Sequence, residues 1–138
     1  PNLYWRITRP NADSDIGPLH RDSWFWELNQ SSYIKPNHPF KRVKVWIPIF
    51  TEEGLNGLMV EPCSQNRSDI KWHHEVRHGS RKPVLLTELD QLSPILLPTP
   101  PGKAVLFNDN LIHGGSKNKA ENTRVSIEFT ILMKEDCS

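Results

Sequence analysis

His20-Arg21-Asp22 and His113 are the residues of this chain best suited to hold a metal. On an extended chain positions i and i+2 face the same way, so the His20 imidazole and the Asp22 carboxylate can reach one ion. His113 lies just past a short apolar run at residues 104–107 and before Gly114-Gly115, where small neighbours leave room beside a projecting side chain. Two neutral imidazoles and one carboxylate leave three coordination positions open, a set that suits Fe(II) and dioxygen chemistry. Each residue alone has a plainer reading: His20 beside a turn or capping aspartate, His113 as a buried, hydrogen-bonded histidine. Eleven residues beyond His113, Arg124 opens a stretch that alternates with period two. There Arg124, Ser126, Glu128 and Thr130 share one face, and Val125, Ile127, Phe129 and Ile131 the other. A guanidinium on such a face can bind a carboxylate through two parallel hydrogen bonds, and Ser126 can add a hydroxyl donor.

A rival motif sits at His74-Glu75-Val76-Arg77-His78, which matches H-E-x-x-H. On a helix His74 and His78 would share a face and bind zinc, with Glu75 as general base. Residues 69–79 allow at most about three helical turns and offer no apolar face to dock on a core. The segment, His73 included, therefore reads as solvated, and its expected role is to cover the mouth of a pocket. Trp24, Phe25 and Trp26 follow His20-Arg21-Asp22 almost directly. Read as extended chain, Trp24 and Trp26 fall on the His20 and Asp22 side, so both are substrate-pocket candidates, together with Trp46. At least one of these tryptophans is expected in the core.

Short strands must position these groups. Residues 3–9 read as a strand with Leu3, Trp5 and Ile7 on one face, and residues 19–28 as a strand or extended segment. Residues 42–50 place Val43, Val45, Ile47 and Ile49 on one face and Lys44, Trp46 and Pro48 on the other. Pro48 implies an edge or an irregular end, because it cannot donate to a ladder. Further short strands are expected at 58–60, 84–86, 95–97, 104–107 and 124–131, and no helix is expected. Many short strands with loop-rich connections make an all-β sandwich or barrel.

With these blocks in place, the chain resembles the phytanoyl-CoA dioxygenase-like branch of the Fe(II)/2-oxoglutarate-dependent oxygenases, over about residues 20–131. The resemblance rests on His20-Arg21-Asp22, on the central VKVWIPIFTEEGLNGLMVEP, and on PGKAVLFNDNLIHGGSKNKAENTRVSIEF. The last block has its Gly-x-x-x-x-Phe, His-Gly-Gly, Asn and Arg-x-Ser elements in family order. It implies a double-stranded β-helix, a cupin-like jelly roll with long loops. It further implies His20, Asp22 and His113 as iron ligands, and Arg124 with Ser126 on the distal carboxylate of 2-oxoglutarate. The implied cofactors are Fe(II), 2-oxoglutarate and O2, and the implied reaction is hydroxylation of an unactivated C–H in a small molecule. Asp22 argues against the halogenase variants, which carry a small residue there. Cys63-Ser64-Gln65 stands where the family has Gly-Ser-His. The chain is also shorter than typical members, so residues 1–138 are expected to be one minimal or N-terminally truncated oxygenase domain.

The bulk properties fit that expectation. A net charge of +1 gives no electrostatic case for a nucleic-acid or anionic-membrane partner. The apolar runs are too short to span a bilayer. Two cysteines, Cys63 and Cys137, are too few for a disulfide framework, so a reduced, cytoplasmic setting is expected. Two other functions remain compatible with the same fold. A cupin-type metal protein with non-oxidative chemistry would not need the Arg124 and Ser126 pair. A binding module without turnover would not need an intact ligand set.

Overall fold

The computed structural model describes residues 3–29 and 40–134. In chain order the elements are β1 (Tyr4–Thr8), α1 (Asp22–Asn29), β2 (Phe40–Phe50), β3 (Leu58–Val60), β4 (Trp72–Arg77) and β5 (Ser80–Leu85). They continue with β6 (Ile95–Leu96), β7 (Val105–Asn108), β8 (His113–Gly115) and β9 (Arg124–Lys134). One antiparallel sheet runs β1-β9-β2-β7, a second runs β6-β3-β8, and β4 with β5 forms a hairpin. Trp46 of β2 and Phe107 of β7 meet Leu58 and Val60 of β3 in one buried cluster. The core thus lies between two sheets, the layout of a double-stranded β-helix.

The larger sheet turns its polar side inward. Arg124, Ser126 and Glu128 are buried, while Val125, Ile127 and Phe129 are only half-buried. Directly opposed residues share a face, and the register places Thr8 against Arg124, Arg6 against Ser126, and Trp46 against Glu128. Lys44, Trp46 and Pro48 therefore join the same inner wall, and all three are buried. Trp5 and Ile7 do share a face, as expected, but it is the outer one: they are 61% and 57% exposed.

Three expectations need correction. Residues 22–29 form a helix, not extended chain. Asp22 in its first turn suits the helix dipole, and Trp24 and Leu28, one turn apart, lie on one side. What favours the helix is burial: Trp24 enters a second cluster with Ile70, Leu92 and Ile112, and stacks on Trp72 at 5.2 Å. Pro48 lies on an interior strand between β9 and β7, not at an edge, although the register does shift between Pro48 and Phe50. That shift, with β7 pairing already ended at Trp46, accommodates the missing donor. Finally, residues 72–85 form an antiparallel hairpin, where the sequence reads 69–79 as a solvated segment and only 84–86 as a strand.

Candidate metal and cosubstrate site

The two histidines meet through the main chain. His20 N–H donates to His113 O at 2.9 Å and His113 N–H returns the bond to His20 O at 3.0 Å, an isolated antiparallel bridge at the end of β8. The approach is close enough that a Cβ on Gly114 would stand 3.0 Å from the Gly17 carbonyl oxygen, which explains the small residue after His113. Asp22, at the start of α1, swings its carboxylate into the same space. One ligand atom from each of His20, Asp22 and His113 lies within 4.8 Å of the others.

Both rings are oriented from behind. His20 Nδ1 lies 2.8 Å from Pro18 O, and His113 Nδ1 lies 3.0 Å from Leu111 O. A carbonyl oxygen only accepts, so each Nδ1 carries a proton, and each Nε2 faces Asp22, at 3.5 Å and 3.8 Å, as the ring nitrogen left for a cation. Burial pushes the His113 imidazole down to about 4, with the neighbouring His20 acting in the same direction. Burial alone would raise the Asp22 carboxyl, but a proton on the facing Nε2 of His20 or His113 and the Lys44 ammonium 3.0 Å away all favour its ionised form and hold it well below the usual range. Neutral imidazoles beside an ionised carboxylate are the protonation states a cation requires.

On the inner face of β9, Arg124 donates from Nη2 to Thr8 Oγ1 at 2.6 Å and from Nη1 to Gly57 O at 3.2 Å. Arg124 Nε and Ser126 Oγ are buried without a partner, and Asp22 Oδ2 accepts no hydrogen bond although Lys44 Nζ stands 3.0 Å from it. Buried polar atoms normally find partners, so these orphans mark where a ligand fits. The residues present suit a cation at His20, Asp22 and His113, and a carboxylate at Arg124 and Ser126.

Several contributors escaped the sequence reading. Ser64 is fully buried; its Oγ accepts from Ile112 N–H at 2.8 Å, and its carbonyl accepts from Arg21 Nη2 at 2.6 Å. It thereby ties the turn carrying His20 and Asp22 to the strand carrying His113. The preceding Cys63, at the family's glycine position, adopts φ 61°, a left-handed conformation that glycine accepts more readily. Lys44 and Glu128 also face the site, on the faces that alternation gives them with Trp46 and Ser126, although the sequence reading singles out neither as a site residue.

A cavity of about 510 Å³ opens onto these groups, walled by His20, His113, Arg124, Phe25, Trp46 and Leu58. Trp46 lines it, but Trp24 and Trp26 do not. Trp24 is 2% exposed in the core, and Trp26, rotated away by the helical period, lies under the Arg42 guanidinium at 5.4 Å. Phe25 takes the position expected of them, edge-on to His20 at 5.3 Å. The β4–β5 hairpin reaches the cavity mouth with Arg77, His78, Lys82 and Pro83. Among the described lining residues, Asp15 pairs with Arg9, Glu128 with Arg6 and Lys44, and Arg77 with Glu75. Among the described residues Lys82 has no carboxylate partner, and it stands 6.0 Å from the Phe25 ring centroid.

The sequence model of the phytanoyl-CoA dioxygenase (PhyH) family matches residues 4–126. The chain belongs to the PhyH family. Solved structures share the fold of this PhyH member. EvdO2 from Micromonospora carbonacea var. aurantiaca complexed with 2-oxoglutarate matches with a TM-score of 0.64 and 15% identity, over 98% of this chain and 54% of that one. The epimerase SnoN in complex with Fe3+, alpha ketoglutarate and nogalamycin RO matches at 0.59 and 13%, over 96% and 48%. AviO1 from Streptomyces viridochromogenes Tue57 matches at 0.57 and 15%, over 99% and 50%. The PhyH chain described here spans about half the length of these structures. No curated protein matches it. Among the described residues, no helix is long and apolar enough to cross a membrane.

Proposed function

We propose that this PhyH member is an Fe(II)- and 2-oxoglutarate-dependent oxygenase that hydroxylates a C–H of a small molecule. The observation that carries the reading is the convergence of His20, Asp22 and His113 beside two unpartnered buried donors, Arg124 Nε and Ser126 Oγ. His20 and His113 would hold iron through Nε2, and Asp22 through its carboxylate. Arg124 keeps three of its five N–H groups beyond those given to Thr8 and Gly57, enough to hold one carboxylate of 2-oxoglutarate with Ser126. The chemistry that iron, 2-oxoglutarate and dioxygen supply together is oxidation of an unactivated C–H, with succinate and carbon dioxide released. The chain's own part is to fix ligand tautomers, orient the cosubstrate and wall the reacting centre with Phe25, Trp46 and Leu58.

The substrate we infer has an apolar body and an anionic group. The lining offers aromatic and aliphatic surface near His20, while Lys82 supplies the positive charge at the mouth that no carboxylate of the described residues offsets. Epimerisation by the SnoN of similar fold makes product analysis part of the test. Succinate release should be measured with Fe(II), 2-oxoglutarate and a panel of acidic metabolites, with mass spectrometry of the products. A gain of one oxygen atom supports hydroxylation, and an isomer of unchanged mass overturns it. Absence of 2-oxoglutarate turnover across the panel, with 2-oxoglutarate failing to bind the metal-loaded chain, would favour the non-oxidative metal protein.

A further inference from the structure

We propose that Lys44 competes with the bound metal for Asp22, and that Glu128 sets how strongly it competes; the proposal rests on the metal reading above. The Lys44 side chain is 6% exposed, with Nζ 3.0 Å from Asp22 Oδ2 and 3.4 Å from Glu128 Oε1. Glu128 is as deeply buried and also accepts from Arg6 Nε at 2.9 Å. Asp22 Oδ2 accepts no hydrogen bond of good geometry, so the ammonium acts on it chiefly as a charge.

A buried ammonium is tolerated only with compensating carboxylates. Lys44 has two, and one of them belongs to the metal site. A cation at His20, Asp22 and His113 therefore meets a like charge already engaged with its only carboxylate ligand. Like charges at this range repel by several kcal/mol at the effective dielectric of a protein interior. Glu128 relieves the conflict because it offers the ammonium a second anionic partner that the metal does not use. Burial would raise the Glu128 carboxyl, but Lys44 and Arg6 together bring it below its ordinary value, so it is ionised and able to play that part. Lys44 and Glu128 are thus positioning residues that act through Asp22.

The test is titration of Mn(II) into the metal-free chain, without 2-oxoglutarate, with melting temperatures recorded in parallel. Glu128→Gln keeps the shape and the hydrogen bonds but removes the charge, so the Mn(II) Kd should rise about tenfold. Lys44→Met should lower the Kd at least about threefold and lower the melting temperature of the metal-free chain, a loss that Mn(II) reverses more fully than in the wild type. Lys44→Arg keeps the charge and should return the Kd towards wild type. In Lys44→Met/Glu128→Gln the effect of the glutamine should largely vanish, because Glu128 acts through Lys44. Kd values within twofold of wild type in both single variants, with only the melting temperature falling, would reduce the group to a structural ion pair and overturn the proposal. Persistence of the Glu128→Gln effect after Lys44 is replaced by Met would do the same. If Glu128→Gln does not fold, the direction of the Kd change in Lys44→Met decides alone. Failure of the wild type to bind Mn(II) is a separate result that removes the metal reading itself.

Discussion

Two regions of this molecule are rich in histidine and carboxylate, and they are built in opposite ways. His20, Asp22 and His113 come from a loop, a helix start and a strand, 93 residues apart at the extremes, and reciprocal main-chain bonds clamp the two histidines together. His73, His74, Glu75 and His78 are neighbours in sequence and lie on one hairpin. Proximity in sequence scatters them: adjacent strand residues point to opposite faces, so His74 is turned away from His73 and Glu75. His78 sits in the turn at φ 51°. Glu75 is already taken by Arg77, which donates from Nε at 3.0 Å and from Nη2 at 2.8 Å. A ligand set needs convergence, and of the two regions only the dispersed one has it. The hairpin instead carries its positive charge to the cavity mouth.

The strongest way to break this contrast is to remove one carboxylate from each region. Asp22→Ala should drop iron stoichiometry close to zero and nearly abolish turnover, whereas Glu75→Ala should leave both intact. Asp22→Glu keeps the charge but moves the oxygen donor by about 1 Å, a displacement that can cost about a hundredfold in rate, so it should bind iron better than the alanine variant yet catalyse poorly. If Asp22 served only as a helix-start residue, the alanine variant would lose about 1 kcal/mol of stability and no metal. Full iron occupancy in Asp22→Ala would end the assignment.

Arg124→Ala sharpens the comparison within the site. It should weaken 2-oxoglutarate by roughly 2–5 kcal/mol while leaving iron affinity nearly unchanged, and Arg124→Lys should restore only part of the loss. Equal weakening of metal and cosubstrate in parallel titrations would contradict the division of roles.

Buried His113 also gives the metal-free chain a pH signature. Its folded value of about 4 lies below the ordinary 6.5, so between these values the unfolded chain binds more protons. Stability should therefore fall as pH drops from about 6.5 to 4, by on the order of 3 kcal/mol, and this group should contribute no slope above about 7. Melting curves of metal-free wild type and His113→Gln check it: the glutamine variant should lose that part of the slope. The smallest effect is expected at the mouth. Lys82→Ala should raise the KM for an acidic substrate about threefold to fivefold, the range of an exposed charge contact, without altering metal or 2-oxoglutarate binding. An equal effect on an uncharged analogue would remove the anion reading.

The sequence by itself determined what local periodicity and residue chemistry can carry. Alternation from Arg124 to Ile131 placed the guanidinium, the Ser126 hydroxyl and the Glu128 carboxylate on one face, and the strand forms with that pattern. His20, Asp22 and His113 could be singled out by type and spacing, because few residues serve as metal ligands. The tertiary structure decided the rest. Residues 22–29 are helical where alternation read them as extended, since Trp24 is buried against Ile70, Leu92 and Ile112, contacts no local pattern encodes. Trp24 and Trp26 consequently left the pocket and Phe25 entered it. Ser64 became the tie between the two halves of the candidate ligand set only because two distant segments close on it. The inward face of the large sheet is its charged one, an arrangement that the hydrophobic effect alone would not select. It holds because Lys44, Asp22 and Glu128 come from three separate elements and pair inside the barrel, with the half-exposed Arg6 reaching Glu128 from outside.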